Sequence, residues 1–227
     1  MNISSMNSVS FKPQLPLQMT ATKAIPTPAP DHKTVQEKKE AFAQAFYTKK
    51  EEPWRGTFYQ YSDYTGTNET REMTKDQYID SMKRKSELQL RILRSDHDKF
   101  QRNLMSIRPD LAQKNFSFTL GDDAELMILD PNGTLSPGEK NLLTDTLNTK
   151  TDIKGIVQTH AKIMMTLVDH DTKTFQGQYK LSLLNIHNVI DYGKVIESRK
   201  NDMNEGWTGQ IRQNLKEENS SLIDTTA

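Results

Sequence analysis

The chain contains no cysteine among its 227 residues. It therefore has no disulfide, no thiolate nucleophile and no thiolate metal ligand. Long apolar runs are also absent. No stretch approaches the ~18 apolar residues of a membrane helix, so we expect no membrane span. Neither sign of charge dominates, since 30 Lys and Arg balance 30 Asp and Glu, and this neutrality disfavours a protein that coats nucleic acid.

Hydrophobic residues are scarce, at 34% of the chain, against ~45–50% in ordinary globular domains. This composition indicates a core of modest size with unfolded ends. The first 30 residues contain no Asp or Glu and hold five of the nine prolines. Because proline-rich segments favour extended backbone, we expect a disordered leader at 1–32.

The rest of the chain divides into three predicted parts. Residues 33–72 predict a helix that Pro53 ends, followed by an aromatic-rich loop without periodicity. Residues 73–200 predict a single α+β domain, with a narrower domain at 110–198 as the alternative. Residues 201–227, rich in Asn, Glu, Gln, Ser and Thr, predict a mostly disordered tail.

Two helices of the domain have clear sequence signals. Thr74 and Gln77 have the spacing of a capping box and predict the start of a long helix that ends near Ile107. A second helix is predicted over 152–168, because its apolar residues recur at intervals of three and four. The stripe of this second helix is Ile153, Ile156, Val157, His160, Met164, Leu167 and Val168.

Shorter patterns complete the predicted fold. Residues 116–129 alternate about a Gly-Asp-Asp turn and predict a β-hairpin, and Ser136-Pro137-Gly138-Glu139 begins a short helix. Residues 175–183 alternate as in a strand, and 185–197 predict a last helix. The predicted fold class is α+β: a small, mostly helical domain with a β-hairpin and one further strand, flanked by disordered tails.

No local signature of an enzyme is present: the phosphate-binding loop, the zinc-protease motif and the nucleophile elbow are all missing. Two Asp-His-Asp triplets, 96–98 and 169–171, are interpreted as solvated polar residues, and His160 as a core histidine. A small hydrolase or transferase that combines them is the competing hypothesis. We assign no catalytic residue, no metal and no cofactor, and favour a non-enzymatic protein.

Two further motifs have simple interpretations. The segment 130–134 opens like a calcium loop, but Leu135 and Asn141 stand where an EF-hand needs Gly and Glu, so we interpret it as a turn. The basic run 83–85, diluted by acidic neighbours, is interpreted as a solvated helix face.

The segment 54–64 is the predicted binding element. It carries five of the seventeen aromatic residues within eleven positions. Aromatic residues on loops supply large contact areas and are enriched among interface hot spots, which indicates a protein partner. The alternative is that Trp54 and Phe58 fasten the loop to the domain. The candidate binding residues are Trp54, Arg55, Phe58, Tyr59, Tyr61 and Tyr64.

The N-terminus carries one resemblance. Met1-Asn2-Ile3-Ser4-Ser5, with Ser8, Ser10 and no acidic residue before Asp31, resembles the export region of type III secreted effectors of Gram-negative bacteria. The resemblance implies secretion without a cleaved Sec signal, into a host cell. Together with a small cysteine-free domain that lacks catalytic motifs, it indicates a secreted or translocated effector that acts by binding a host protein. The alternative is a cytoplasmic adaptor or interaction protein without catalytic activity.

Overall fold

The computed structural model describes residues 34–62, 65–149, 151–198 and 203–224, with the backbone alone at 151 and 216–224. The predicted leader at 1–32 lies outside the described residues. The helices are α1 (Val35–Phe46), α2 (Lys75–Ile107), α3 (Pro109–Ala112), α4 (Pro137–Thr149), α5 (Thr151–His170), α6 (Thr172–Phe175), α7 (Ile186–Val189), α8 (Tyr192–Glu197) and α9 (Met203–Asp224). The strands are β1 (Phe58–Ser62), β2 (Asn68–Glu72), β3 (Ser117–Leu120) and β4 (Leu126–Leu129).

The fold class is α+β and mostly helical, as the sequence predicts. Each pair of strands forms its own antiparallel sheet, β1 with β2 and β3 with β4. None of the helices in the described ranges combines the length and the hydropathy that a membrane span requires.

The helix α2 begins at the predicted capping box. The Thr74 hydroxyl accepts a hydrogen bond from the Gln77 N–H at 3.3 Å, and the Gln77 side chain accepts one from the Thr74 N–H at 2.9 Å. These two bonds satisfy N–H groups that a helix start leaves free. The helix runs to Ile107 as predicted, but Ile107 is 77% exposed and does not belong to the core.

The helix α5 packs along α2, and this pair forms the centre of the core. The predicted stripe on α5 is confirmed, since all of its members are buried except the half-buried Ile156. The α2 residues that face the core are Tyr78, Ile79, Leu90, Leu93 and Phe100.

A polar network lies inside this core. His160 is fully buried, as predicted, and its Nε2 lies 2.9 Å from the Ser86 hydroxyl. Its Nδ1 lies 3.3 Å from the hydroxyl of Tyr192, on α8. The Ser86 hydroxyl donates to Asn204 Oδ1 at 2.6 Å, and the Trp207 indole N–H donates to the same oxygen at 3.0 Å. The network thus joins α2, α5, α8 and α9.

The predicted hairpin at 116–129 is confirmed as β3 and β4, whose register sets Ser117 opposite Leu129. Its buried residues fill the space beside α4 and α8. The side chain of Asn148, on α4, accepts the Leu126 N–H at 2.8 Å and donates to the Leu126 carbonyl at 2.9 Å. These bonds satisfy the free edge of β4 and hold the hairpin to α4.

The strand predicted at 175–183 is wrong. Thr172–Phe175 is the short helix α6, and a turn follows at Gln176 and Gly177, which have φ of 56° and 70°. Positive φ at two successive residues reverses the chain and ends any extended run. Leu181 and Leu183 are nevertheless buried, so the alternation of apolar and polar residues here reflects burial and not strand pairing. The predicted last helix is two helices, α7 and α8.

The mostly disordered tail predicted at 201–227 is also wrong over 203–224, where the chain forms α9. Over 203–215, where the side chains are described, one residue per turn is buried, and the set is Met203, Trp207, Ile211 and Leu215. A spacing of four places them on one face, which packs on α2, α7 and α8.

The aromatic segment is not a loop. Residues 58–62 and 68–72 form the hairpin of β1 and β2, with Phe58 opposite Glu72 and Ser62 opposite Asn68. Its residues are exposed on both faces, except for the half-buried Tyr59. A sheet exposed on both faces has no alternation of apolar and polar residues, which is why periodicity did not reveal it.

The helix predicted at the start of the segment 33–72 is confirmed as α1, and its C-terminal end packs on the domain. Val35 and Phe42 are 74% and 46% exposed, whereas Phe46 and Tyr47 lie against the core. The Tyr47 hydroxyl donates to Asp169 at 2.8 Å, and burial raises the pKa of Tyr47.

We expect His160 to make the protein less stable in mild acid. Burial lowers the pKa of His160 to about 3, whereas an unfolded chain binds this proton near pH ~6.5. Between these values the unfolded state binds a proton that the folded state excludes. As the pH decreases below ~6.5, the free energy of unfolding should therefore decrease by up to about 1.4 kcal/mol per pH unit. Urea unfolding at a series of pH values measures this slope.

The variant His160→Gln provides the comparison. Glutamine keeps a polar side chain at the site but does not titrate, so the dependence of stability on pH should be shallower in the variant. Equal slopes in the two proteins would contradict the assignment of the slope to His160.

Candidate functional site

The hairpin of β1 and β2 projects from the domain, and Trp54 lies at its base. The Trp54 ring meets the His170 ring edge-on, with the ring centroids 5.6 Å apart. The ammonium of Lys75 lies 5.3 Å from the centroid of the same indole. Trp54 is half-buried and packs against the core. The structure therefore makes Trp54 the residue that fastens the segment.

His170 provides an uncharged surface for this contact. Its side chain is 5% exposed, and its Nε2 has no hydrogen-bond partner among the described residues. Burial lowers the pKa of His170, although Asp169 opposes the shift. A neutral imidazole ring packs on an indole edge without the cost of a buried charge.

Backbone and side-chain bonds close the base of the hairpin. The Met73 N–H donates to the Thr57 carbonyl at 2.8 Å, and the Gly56 N–H donates to the Glu72 carboxylate at 2.6 Å. Gly56 has φ of 72°, in the region that favours glycine. These bonds fix the direction in which the two strands leave the domain.

The two tyrosines of β1 are held differently. The Tyr59 hydroxyl accepts a hydrogen bond from the side chain of Gln77 at 3.2 Å, which ties this strand to the start of α2. The Arg71 guanidinium lies 4.0 Å from the centroid of the Tyr61 ring. Glu69 accepts two hydrogen bonds from Arg71, at 2.7 and 3.0 Å, and so holds the guanidinium over the ring. These two residues of β2 therefore hold the ring of Tyr61 in place.

The remaining candidate residues are displayed to solvent. Phe58 is 59% exposed and Tyr61 is 39% exposed. The Arg55 side chain is 72% exposed, although it pairs with Glu52 at 2.5 Å. Tyr64 lies outside the described residues. The predicted residues thus have two roles in the structure. Trp54 fastens the base of the hairpin to the domain, whereas Phe58 and Tyr61 are exposed on β1.

Sequence reasoning missed the contribution of β2. Arg71 and Glu69 order the ring of Tyr61, but neither residue stood out in the sequence. Gln77 was recognised only as part of a capping box. The one available signal was spacing, since the β-prone Phe58, Tyr59 and Tyr61 come shortly before a turn that contains Gly66, a pattern that favours a hairpin.

The two Asp-His-Asp triplets do not meet. Asp171 pairs with Lys83 at 2.7 Å, so the second triplet lies beside residue 83 of α2, whereas His97 is further along the same helix by about 21 Å. His97 stacks on Phe118 with the centroids 5.4 Å apart. Among the described residues no group of three His, Asp or Glu side chains is placed to hold a metal ion.

Ser86 and His160 have the separation of a nucleophile and its base, but not the access. Both side chains are 0% exposed. The serine hydroxyl also donates to Asn204, so its proton is engaged away from the imidazole. A catalytic serine must reach a substrate, and this pair stabilises the core instead.

The basic residues of α2 are largely used within the fold. Lys83 pairs with Asp171, and Arg91 pairs with Glu87 at 3.1 Å. Arg94 donates to the carbonyls at the end of α8. The other two residues of the basic run 83–85 are exposed, which agrees with the interpretation of a solvated helix face.

Comparisons with protein-family models, with curated proteins and with solved structures found no match to this chain.

We expect Trp54 and Phe58 to differ in their effect on stability. Trp54→Ala should lower the free energy of unfolding by about 1–2 kcal/mol, since a half-buried indole loses part of the ~3–5 kcal/mol of a fully buried one. Phe58→Ala should change it by less than ~0.5 kcal/mol, as exposed positions do. Urea unfolding of both variants tests this. Equal losses in the two variants would mean that Phe58 is packed against the domain as Trp54 is.

Proposed function

We propose that this protein is a secreted bacterial effector that acts by binding a host protein, with the hairpin of β1 and β2 as its contact element. One observation carries the proposal. Phe58 and Tyr61 project into solvent from an ordered hairpin rather than packing into the core. Ordered aromatic side chains on a projecting element are a common form of protein contact surface.

The energetics of such a surface favour binding. An exposed phenylalanine gains the hydrophobic free energy of burial when a partner covers it. Tyr61 is already held by Arg71 at 4.0 Å, so it loses little side-chain entropy on binding. Preorganised contacts of this kind reduce the cost of association.

Export is supported by the sequence alone. The first 30 residues lack acidic residues and are rich in serine and proline, as in the export regions that they resemble. An unfolded leader suits passage through a narrow conduit. The second candidate function is that of an intracellular adaptor, which would use the same hairpin without export.

We expect residues 1–50 to export a reporter protein. A fusion of this segment should leave secretion-competent Gram-negative bacteria and stay inside a strain with a defective type III apparatus, because the export signal lies in the leader. Immunoblots of culture supernatants measure this. The control is the same reporter fused to residues 51–100. Retention in both strains would favour the adaptor.

We expect partner binding to depend on the exposed aromatic side chains of β1. The double variant Phe58→Ser and Tyr61→Ser should bind a host protein captured by the full chain at least ten times more weakly, as loss of one hot spot or more predicts. The matched control is Leu88→Ser with Ile107→Ser, which removes apolar side chains that are 56% and 77% exposed on α2. Titration calorimetry gives the affinities. Equal losses in both variants would contradict the hairpin as contact element.

A further inference from the structure

Among the described residues β1 pairs with β2 alone, and the backbone groups at its other edge can be derived. The bond from the Met73 N–H to the Thr57 carbonyl makes these two residues a hydrogen-bonded pair at the base of the hairpin. Hydrogen-bonded pairs alternate with non-hydrogen-bonded pairs in an antiparallel ladder. From the register, Tyr59 and Tyr61 are then the residues of β1 whose backbone groups hydrogen-bond to β2. The backbone groups of β1 that point away from β2 are those of Phe58, Gln60 and Ser62.

This edge lacks the usual protection against strand pairing. Natural edge strands carry charges or prolines that block the approach of another strand. The edge strand β2 follows that rule, because it contains Glu69, Arg71 and Glu72. The sequence of β1 is Phe-Tyr-Gln-Tyr-Ser, with no charge and no proline. Its three outward residues are all exposed.

We propose that two copies of the chain pair through β1, antiparallel about a two-fold axis at Gln60, to form a four-stranded sheet. The outward residues are symmetric about Gln60, so Gln60 meets Gln60 of the second copy and Phe58 meets Ser62. Every outward N–H of one strand thereby faces an outward carbonyl of the other. The edge is complementary to itself without a shift in register.

The side chains favour a second copy over an unrelated strand. In this register Tyr59 of each copy lies opposite Tyr61 of the other, which gives two aromatic pairs. Cross-strand aromatic pairs stabilise a sheet. The two-fold contact brings Gln60 against Gln60 of the second copy, where a charged residue would be repelled by its own symmetry mate. The absence of charge on β1 removes that penalty.

The inference goes beyond the proposed function and is independent of it. Pairing uses the outward backbone groups of β1, whereas partner binding uses the exposed side chains of Phe58 and Tyr61. The dimer would therefore present two copies of these side chains on one sheet. Because only five residues of each copy take part, we expect a dimer that dissociates on dilution.

Proline substitutions provide the first test. Gln60→Pro removes an outward N–H and keeps the backbone bonds between β1 and β2, so the variant should dimerise at least ten times more weakly. The side-chain bond between Gln60 and the Thr70 hydroxyl, at 3.1 Å, is lost in this variant and in its control alike. The matched control is Thr70→Pro, at the residue opposite Gln60, which blocks the edge of β2 instead. Sedimentation velocity of the full chain over a range of concentrations measures dissociation. A monomer at every concentration, or equal loss in both variants, would overturn the proposal.

A cysteine substitution tests the register. The chain has no cysteine, so Gln60→Cys introduces a single thiol on the two-fold axis. Opposed Cα atoms of a hydrogen-bonded pair are about 5.5 Å apart, within the range of a disulfide. Mild oxidation should give a covalent dimer. Thr70→Cys places its thiols about 14 Å apart, three strand spacings, and should remain monomeric on denaturing gels. Equal cross-linking of both variants, or of neither, would overturn the proposal.

Discussion

A buried imidazole lies where the helices α2, α5, α8 and α9 meet. His160 is fully enclosed, and both of its ring nitrogens lie within hydrogen-bond distance of side chains from other helices. A buried polar group without partners is costly, so Ser86, Tyr192 and Asn204 must all stay in position. Hydrophobic burial alone is tolerant of small shifts in helix position. The polar network removes that tolerance and specifies one arrangement of α2, α5, α8 and α9.

The hairpin of β1 and β2 follows a different rule. It is attached to the domain through Trp54 and through the Gln77 contact with Tyr59, and its aromatic side chains face outwards. An isolated two-stranded hairpin is marginally stable in water. Here the covalent junction with α2, together with the contact between Arg71 and Tyr61, keeps it ordered. The rigid core thus carries an element that is available for contact with other molecules.

The sequence predicted the parts of this fold in which burial is one-sided. The helix α5 and the strand β4 have one buried face each, so the periods of the helix and of the strand are visible in their residues. The strand β3 is buried on both faces, but its apolar residues alternate with Ser117 and Thr119 and so keep the period of a strand. The hairpin of β1 and β2 has no buried face, and its strands therefore left no period. The alternation at 179–183 was misleading because the chain there is buried without a partner strand. In the candidate site, residue types indicated Trp54, Phe58 and Tyr61, but their separation into anchor and displayed surface depends on contacts across the chain.

The place of α9 in the chain has a consequence for synthesis. Asn204 and Trp207 complete the polar network from α9, and Asn204 lies 118 residues beyond Ser86 in the chain. While the ribosome has not yet released these residues, Ser86 lacks its acceptor and the α9 face of the core is open. The domain therefore closes only after the first turns of α9 have been synthesised.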